Sequence, residues 1–299
     1  MRVFVTGATG YIGSAITRDL IEAGHHVTGL ARSDAAADAL AAAGAQAYRG
    51  ALDDAESLRS AAAASEGVIH NAFQNIGPDT DFAAACTADL RAVEILGAAL
   101  AGSGKPFVVT SGTALLPPGR LATEDDSAVP GFPRADSENA AMSFADRGVR
   151  ASVVRLAPSV HSGEADKKGF VPSLIGFARA KGVSAYVGDG SNRWPAVHQL
   201  DAARLFRLAL ESAPAGARLH GAAEEGVPFR DIASAIGAQL NLPVTGISPE
   251  EAEGHFSWLA HFVSIDNPTS SALTRKQLGW NPVQPGLIAD IEEGHYFKD

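Results

Sequence analysis

Three glycines set the chemistry that this chain can do. Residues 1–15 read Met1-Arg2-Val3-Phe4-Val5-Thr6-Gly7-Ala8-Thr9-Gly10-Tyr11-Ile12-Gly13-Ser14-Ala15. The apolar run Val3-Phe4-Val5 suits a strand buried on both faces. The turn Gly7-x-x-Gly10-x-x-Gly13 follows at once, and a helical stretch over 11–23 follows the turn. In that order Gly7 permits a tight turn, Gly10 lets backbone approach a pyrophosphate, and Gly13 lets the helix pack on the sheet. The helix start offers unpaired N–H groups and the positive end of its dipole to the anion. This predicts a dinucleotide site, with Thr9, Tyr11 and Ile12 in the same turn.

Periodicity supplies the elements that must hold this turn. Strands are expected over 27–30, 48–52, 68–72, 107–112 and 152–156, and Pro158 stops the last. Helices over 34–43, 54–65, 80–101 and 135–147 alternate with them. The longest carries Phe82, Cys86, Leu90, Val93, Leu96 and Leu100 at helical spacing. Strands alternating with helices predict an α/β fold, a doubly wound parallel sheet of the Rossmann type. Residues 115–133 are rich in Pro and Gly and read as a loop over the site. Beyond residue 156 the rhythm is less regular, with helices over 170–181, 201–212, 229–240, 270–278 and 287–296. The expected division is a dinucleotide-binding domain over 1–155 and a smaller substrate lobe over 156–299, with about 194–224 returning to the sheet. Ligands in such sheets bind beyond the carboxyl ends of the strands. Those ends are 6–13, Arg32-Ser33, Ala51-Leu52, Asn71-Ala72-Phe73-Gln74 and Ser111-Gly112-Thr113.

The totals remove other classes. The chain has 299 residues and a formal charge of −10, with no basic stripe, which argues against nucleic acid as a partner. No apolar run approaches the roughly 20 residues of a membrane helix, and the start shows no signal-peptide pattern. The single Cys86 excludes an intrachain disulfide and fits a reducing cytoplasm. His25 and His26 are adjacent, point apart and have no further ligand at metal spacing, so no metal site is expected.

With these residues placed, the chain resembles the extended short-chain dehydrogenase/reductase family of epimerases, dehydratases and related reductases. The resemblance is carried by the glycine turn, by Val68-Ile69-His70-Asn71-Ala72 and by the run Val154 to His161. It continues in Phe170-Val171-Pro172, in Gly188-Asp189-Gly190-Ser191-Asn192-Arg193 with Val197-His198-Gln199-Leu200-Asp201, and in Leu278-Gly279-Trp280-Asn281-Pro282. It implies a nicotinamide dinucleotide in the first domain, a small-molecule substrate between the two lobes, and a homodimer through helices 80–101 and 135–147. An acid at the end of the second strand would grip a ribose hydroxyl; this chain has Arg32 and Ser33 instead, which suit the phosphate of NADP(H). Leu52 can meet the adenine through its backbone, and Asn71, Ala72, Phe73 and Pro158 complete the expected cofactor contacts.

The chain departs from the family at its reactive centre. Family members that move hydride use a Tyr-x-x-x-Lys pair on the helix after the fifth strand. Here Arg134 stands at the tyrosine position and Glu138 at the lysine position. Glu138 cannot replace the lysine electrostatically, although it can accept from ribose hydroxyls. Arg134 can clamp a substrate carboxylate or pair with Glu138 four residues on. Ser111, Thr113 and His161 remain as candidate catalytic groups: two hydroxyls for a carbonyl oxygen and an imidazole for a proton. Gln74, Arg134, Trp194 and Trp258 are the expected substrate contacts, with Phe256 and Phe262 as further pocket wall, and Arg193 matches a phosphate-binding position. The expected activity is NADP(H)-dependent reduction of a small carbonyl or imine. A non-catalytic NADP(H)-binding regulator and a nucleotide-sugar epimerase or dehydratase are the alternatives.

Overall fold

Valine, isoleucine and phenylalanine runs, apolar on both sides, form the centre of one sheet, with the more polar strands at its edge. In the computed structural model, which describes residues 1–74 and 76–298, the first half alternates strand and helix throughout. The order is β1 (Arg2–Thr6), α1 (Tyr11–Glu22), β2 (His26–Ala31), α2 (Asp34–Ala42), β3 (Gln46–Arg49), α3 (Ala55–Ala64), β4 (Gly67–His70), α4 (Phe82–Leu100), β5 (Pro106–Gly112), α5 (Ala135–Ser143) and β6 (Arg150–Leu156). Then come β7 (Ser159–His161), α6 (Phe170–Lys181), β8 (Ser184–Val187), β9 (Arg193–His198), α7 (Gln199–Ser212), β10 (Ala217–Gly221), β11 (Glu224–Pro228), α8 (Phe229–Leu240) and β12 (Val244–Ile247). Four short helices close the chain: α9 (Ala252–Phe256), α10 (Ala260–Val263), α11 (Ala272–Leu278) and α12 (Leu287–Glu292).

The main sheet has seven parallel strands in the order β10-β6-β5-β4-β1-β2-β3. The order reverses at β1 and β4, which places a crevice above their carboxyl ends. Alternation within strands divides the core. Val3, Val5, Val108 and Val154 pack with Ile16 and Leu20 of α1 and with Leu205, Phe206 and Leu210 of α7. Phe4, Phe107, Val109 and Val153 pack with Leu58, Val93, Leu96 and Phe144 on the other face. Each fully buried side chain of this kind contributes about 1.5–3 kcal/mol.

The remaining chain builds a second core from Val171, Leu174, Trp194, Phe229, Ile236, Phe256 and Leu259. Two small sheets frame it, β11-β9-β7 and β12-β8. The stretch 194–224 is divided between the two halves. Helix α7 and β10 lie on the main sheet, whereas β9 pairs with β7 and β11. Among the described residues no helix is long and apolar enough to cross a membrane, and no group of three His, Cys, Asp or Glu is placed to hold a metal.

Candidate functional site

The glycine turn is a cradle that side chains would fill. Gly7 has φ +70°, and a Cβ there would lie 2.8 Å from the Cα and N of Ala72 at the end of β4. A Cβ on Gly13 would overlap the Gly7 carbonyl. The Gly10 amide donates to the Gly7 carbonyl at 3.0 Å, tightening the turn. No side chain caps α1 among the described residues and its first turn holds no acid, so its leading N–H groups are left for a ligand. Thr9 and Gly10 are exposed, and Ile12 is half-buried. This geometry fits the pyrophosphate of a dinucleotide.

A buried chain of hydrogen bonds locks the cradle onto β4. The Thr6 hydroxyl accepts from the Ala72 amide at 3.2 Å and lies 2.8 Å from His70 Nδ1. His70 Nε2 faces Asp89 Oδ1 at 3.2 Å. Burial pushes the Asp89 carboxyl up, but the His70 bond and the His70 and Arg134 charges outweigh it and hold it below the ordinary range.

At the end of β2, Arg32 is exposed, and its side chain makes no hydrogen bond or ion pair among the described residues. Beside it Ser33 caps α2, accepting from the Ala36 amide at 3.2 Å. The adjacent acid, Asp34, is engaged by Arg49 at the end of β3. Leu52 lies half-buried beyond them.

The ends of β4 and β5 carry the groups expected to meet a substrate. Asn71, Ala72 and Phe73 are half-buried and Gln74 is exposed. The Thr110 hydroxyl donates to Asn71 Oδ1 at 3.1 Å. Ser111 is buried and donates to Glu138 Oε2 at 2.9 Å. Thr113 is fully buried; its hydroxyl donates to Asn267 Oδ1 at 2.9 Å, and Asn267 Nδ2 returns a bond to the Thr113 carbonyl at 3.0 Å. Both hydroxyl protons are thus held within the protein, and Thr113 is a tie to the second half.

Arg134 and Glu138 do not pair with each other, which corrects that expectation. Glu138 turns inward onto Arg155 of β6, whose Nε lies 3.0 Å from Oε2 and whose Nη2 reaches Oε1, and Arg218 approaches at 3.4 Å. Burial raises the Glu138 carboxyl, but the Arg155 hydrogen bonds and charge outweigh it and hold it below the ordinary range. Its oxygens are therefore not free for ribose hydroxyls. Arg155 also donates to the Asp126 carbonyl at 2.8 Å and lies 3.2 Å from His220 Nε2. Arg134 instead lays its guanidinium over the Phe73 ring, 3.6 Å from the centroid, and Nη2 donates to the Thr110 carbonyl at 3.1 Å. Its Nε is buried with no partner.

His161 lies deep in the joint between the halves. Its Nδ1 is 2.7 Å from Asp290 Oδ2, its ring meets His198 edge-on at 5.4 Å, and its Nε2 is buried without a partner. Asp290 also accepts from the Gly163 amide at 3.1 Å. The hydroxyl of Tyr11 is buried near Asp166, Tyr296 and Asp290, and burial pushes its pKa far up. Tyr11 therefore sends its hydroxyl into the joint rather than along the groove. Burial raises Asp166 to about 6, against bonds from the Gly169 and Lys168 amides. Pro158 is half-buried where β6 leaves the sheet.

Packing corrects the pocket-wall expectation for Trp194 and Phe256 and gives Arg193 a partner within the protein. Trp194 is fully buried and donates from Nε1 to the Phe262 carbonyl at 3.1 Å, so it is core and not pocket wall. Phe256 is buried in the same cluster, and half-buried Trp258 and Phe262 both pack on Phe170. Arg193 pairs with both carboxylate oxygens of Asp266, at 2.9 and 2.8 Å, and so pins 266 to β9. The supports that sequence reasoning missed are Asp89, Asn267, Asp290 and above all Arg155. The last did leave a signal: a charge inside Val153-Val154-Arg155-Leu156 demands a buried partner.

Residues 3–220 match the model of the NAD dependent epimerase/dehydratase family. The chain is 48% identical over 299 residues to an uncharacterized protein of Schizosaccharomyces pombe, covering 99% of this chain and 100% of that one. It is 28% identical over 263 residues to a 2-alkyl-3-oxoalkanoate reductase of Stenotrophomonas maltophilia, covering 81% and 77% of the two chains. Among solved structures it superposes on MoeE5, determined in complex with UDP-glucose and NAD, with a TM-score of 0.76, 20% identity and coverage of 97% and 96%. The glycine cradle at the reversal of a seven-stranded parallel sheet and the match over most of the chain agree: the chain belongs to the NAD-dependent epimerase/dehydratase family.

Proposed function

We propose that the protein is an NADP(H)-dependent oxidoreductase that reduces a small carbonyl or imine compound. The observation that carries this is the cradle: Gly7 and Gly13 lie where any side chain would collide with backbone, beside an uncapped helix start. A reductase among the relatives and an NAD complex among the structural neighbours support the same class. When bound, the nicotinamide supplies the hydride. Backbone N–H groups of the 7–13 turn hold the pyrophosphate. Arg32, exposed and with no side-chain partner among the described residues, meets the ribose phosphate, with the Ser33-capped start of α2 beside it.

Titration calorimetry tests the cofactor. NADPH binds more tightly than NADH, and Arg32→Ala weakens NADPH by about 10–100-fold, the worth of a charge-assisted pair, with NADH unchanged. Equal affinity for both nucleotides, or tighter NADH, overturns the NADP assignment. Consumption of NADPH with a panel of aldehydes, ketones and imines tests the reaction. One observation favours a second reading, an NADP(H)-binding regulator: the Ser111 and Thr113 protons are both committed within the protein. Tight NADPH binding with no turnover on any of the three substrate classes selects it.

A further inference from the structure

We propose that Arg134 binds and polarises the reacting oxygen, and that the substrate is an uncharged carbonyl compound with an apolar body. This rests on the reductase reading above. Of the side chains at the β4 and β5 ends that can donate, Ser111 and Thr113 are already spent on Glu138 and Asn267. Glu138 is an ionised carboxylate held by Arg155, so it only accepts, and Ser111 must be the donor in that bond. Arg134 has five N–H donors and, among the described residues, makes one hydrogen bond, to the Thr110 carbonyl. Its buried Nε has no partner among the described residues, a gap that a ligand acceptor would fill.

Its surroundings define what it would take. Phe73 lies beneath the guanidinium, Phe82 meets Phe73 edge-on at 6.1 Å, and Phe132 meets Phe82 at 6.0 Å. All three residues are half-buried, and the Phe73 ring lies directly against the cation. This wall suits an apolar substrate and lowers the local dielectric, which strengthens the guanidinium on a developing oxyanion. The site connects directly to the cradle, because Gly7 packs on Ala72, the residue before Phe73.

The bonds balance without an acid side chain. The carbonyl carbon gains a hydride from the reduced nicotinamide, the C=O π pair moves to oxygen, and the nicotinamide is oxidised. Arg134 stabilises the alkoxide and keeps its own proton; water supplies the proton and leaves hydroxide to the buffer. A protonated imine would bring a second cation against the guanidinium, so this site disfavours it.

Full-length wild type, Arg134→Lys and Arg134→Met are compared with NADPH and benzaldehyde, glyoxylate or a cyclic imine from pH 6 to 10. Wild type prefers benzaldehyde and shows no alkaline limb between pH 8 and 10. Arg134→Met lowers kcat/KM by about 10²–10³, the loss seen when an oxyanion donor is removed, mainly through kcat, with the NADPH Kd within about threefold. Arg134→Lys recovers part of the rate and acquires an alkaline limb as its amine deprotonates, a change that a packing role would not produce. Arg134→Met within about threefold of wild type, preference for glyoxylate or the imine, or an Arg134→Lys profile identical to wild type overturns the proposal. If the methionine variant does not fold, the lysine profile decides. No wild-type turnover on any substrate despite NADPH binding defeats the reductase reading itself, and Arg134's role with it.

Discussion

Glu138 cannot be removed without stranding Arg155, which is completely buried near the carboxyl end of β6. Glu138→Ala should therefore lower stability by about 3–5 kcal/mol, the cost of leaving a buried charge unpaired, seen as a lower urea midpoint. The glycines give a local test of the cradle. Gly13→Val must push the Gly7 carbonyl aside and should abolish NADPH binding in calorimetry. Gly176→Ala, in α6 with open space around it, should leave binding intact and raise stability by about 0.4–1 kcal/mol. At this scale the sequence is legible where a role depends on neighbours in the chain. The spacing of Gly7, Gly10 and Gly13 is such a case, since each answers to the same turn. Partners from distant elements are not. Thr113 meets Asn267 from 154 residues away, and no periodicity in either segment marks the other. Arg134 and Glu138 illustrate the same limit, because spacing of four permits a pair but rotamer and surroundings send one to Phe73 and the other to Arg155.

Among the elements, α7 does more than cover the sheet. Its Asp201 carboxylate is buried and accepts from the Val283 and Gln284 amides at 3.0 and 2.9 Å, while its carbonyl accepts from Trp280 Nε1 at 3.0 Å. The segment before α12 is thereby fixed to the first half. Asp201→Ala should cost about 1–3 kcal/mol by leaving buried amides unpaired, and hydrogen exchange should quicken at 283–284 before it does in β4 or β5. The strands β1, β2, β4, β5 and β6 could be read from apolar runs between glycine and helix signals, whereas β3, expected over 48–52, lies at Gln46–Arg49, where polar and exposed residues give no such run. The short strands β7, β8, β9, β11 and β12 could not. They hold three to six residues, too few to show alternation, and β9 carries Pro195 inside it. Their places are set by the aromatic cluster they enclose.

For the whole molecule, the joint between the halves is where pH should act. Asp166 is faced by Tyr11 from α1, by His161 from β7, and by Asp290 and Tyr296 from the C-terminal segment, with the Lys168 and Gly169 amides on its own loop. Its carboxyl is raised from 3.8 to about 6, so the folded state holds the proton longer than the unfolded chain. Stability from this group is full below pH 4 and falls as pH rises to about 6. Asp166→Asn keeps an oxygen for the Gly169 amide and should stabilise the protein at pH 8 by up to about 3 kcal/mol, with the gain vanishing near pH 4 in thermal unfolding. The order of the main sheet has a further consequence, for biosynthesis. Strand β6 needs β10 as its outer neighbour, and β10 needs Thr274, whose hydroxyl accepts from the His220 amide. A nascent chain that has just finished β6 therefore exposes an apolar strand edge until about 65 more residues have emerged. At a synthesis rate of about 5–20 residues per second, that edge waits for several seconds on the ribosome, open to any neighbouring strand. A product ending at residue 155 should keep that edge for good and collect in the insoluble fraction, whereas one extended through α11 should not.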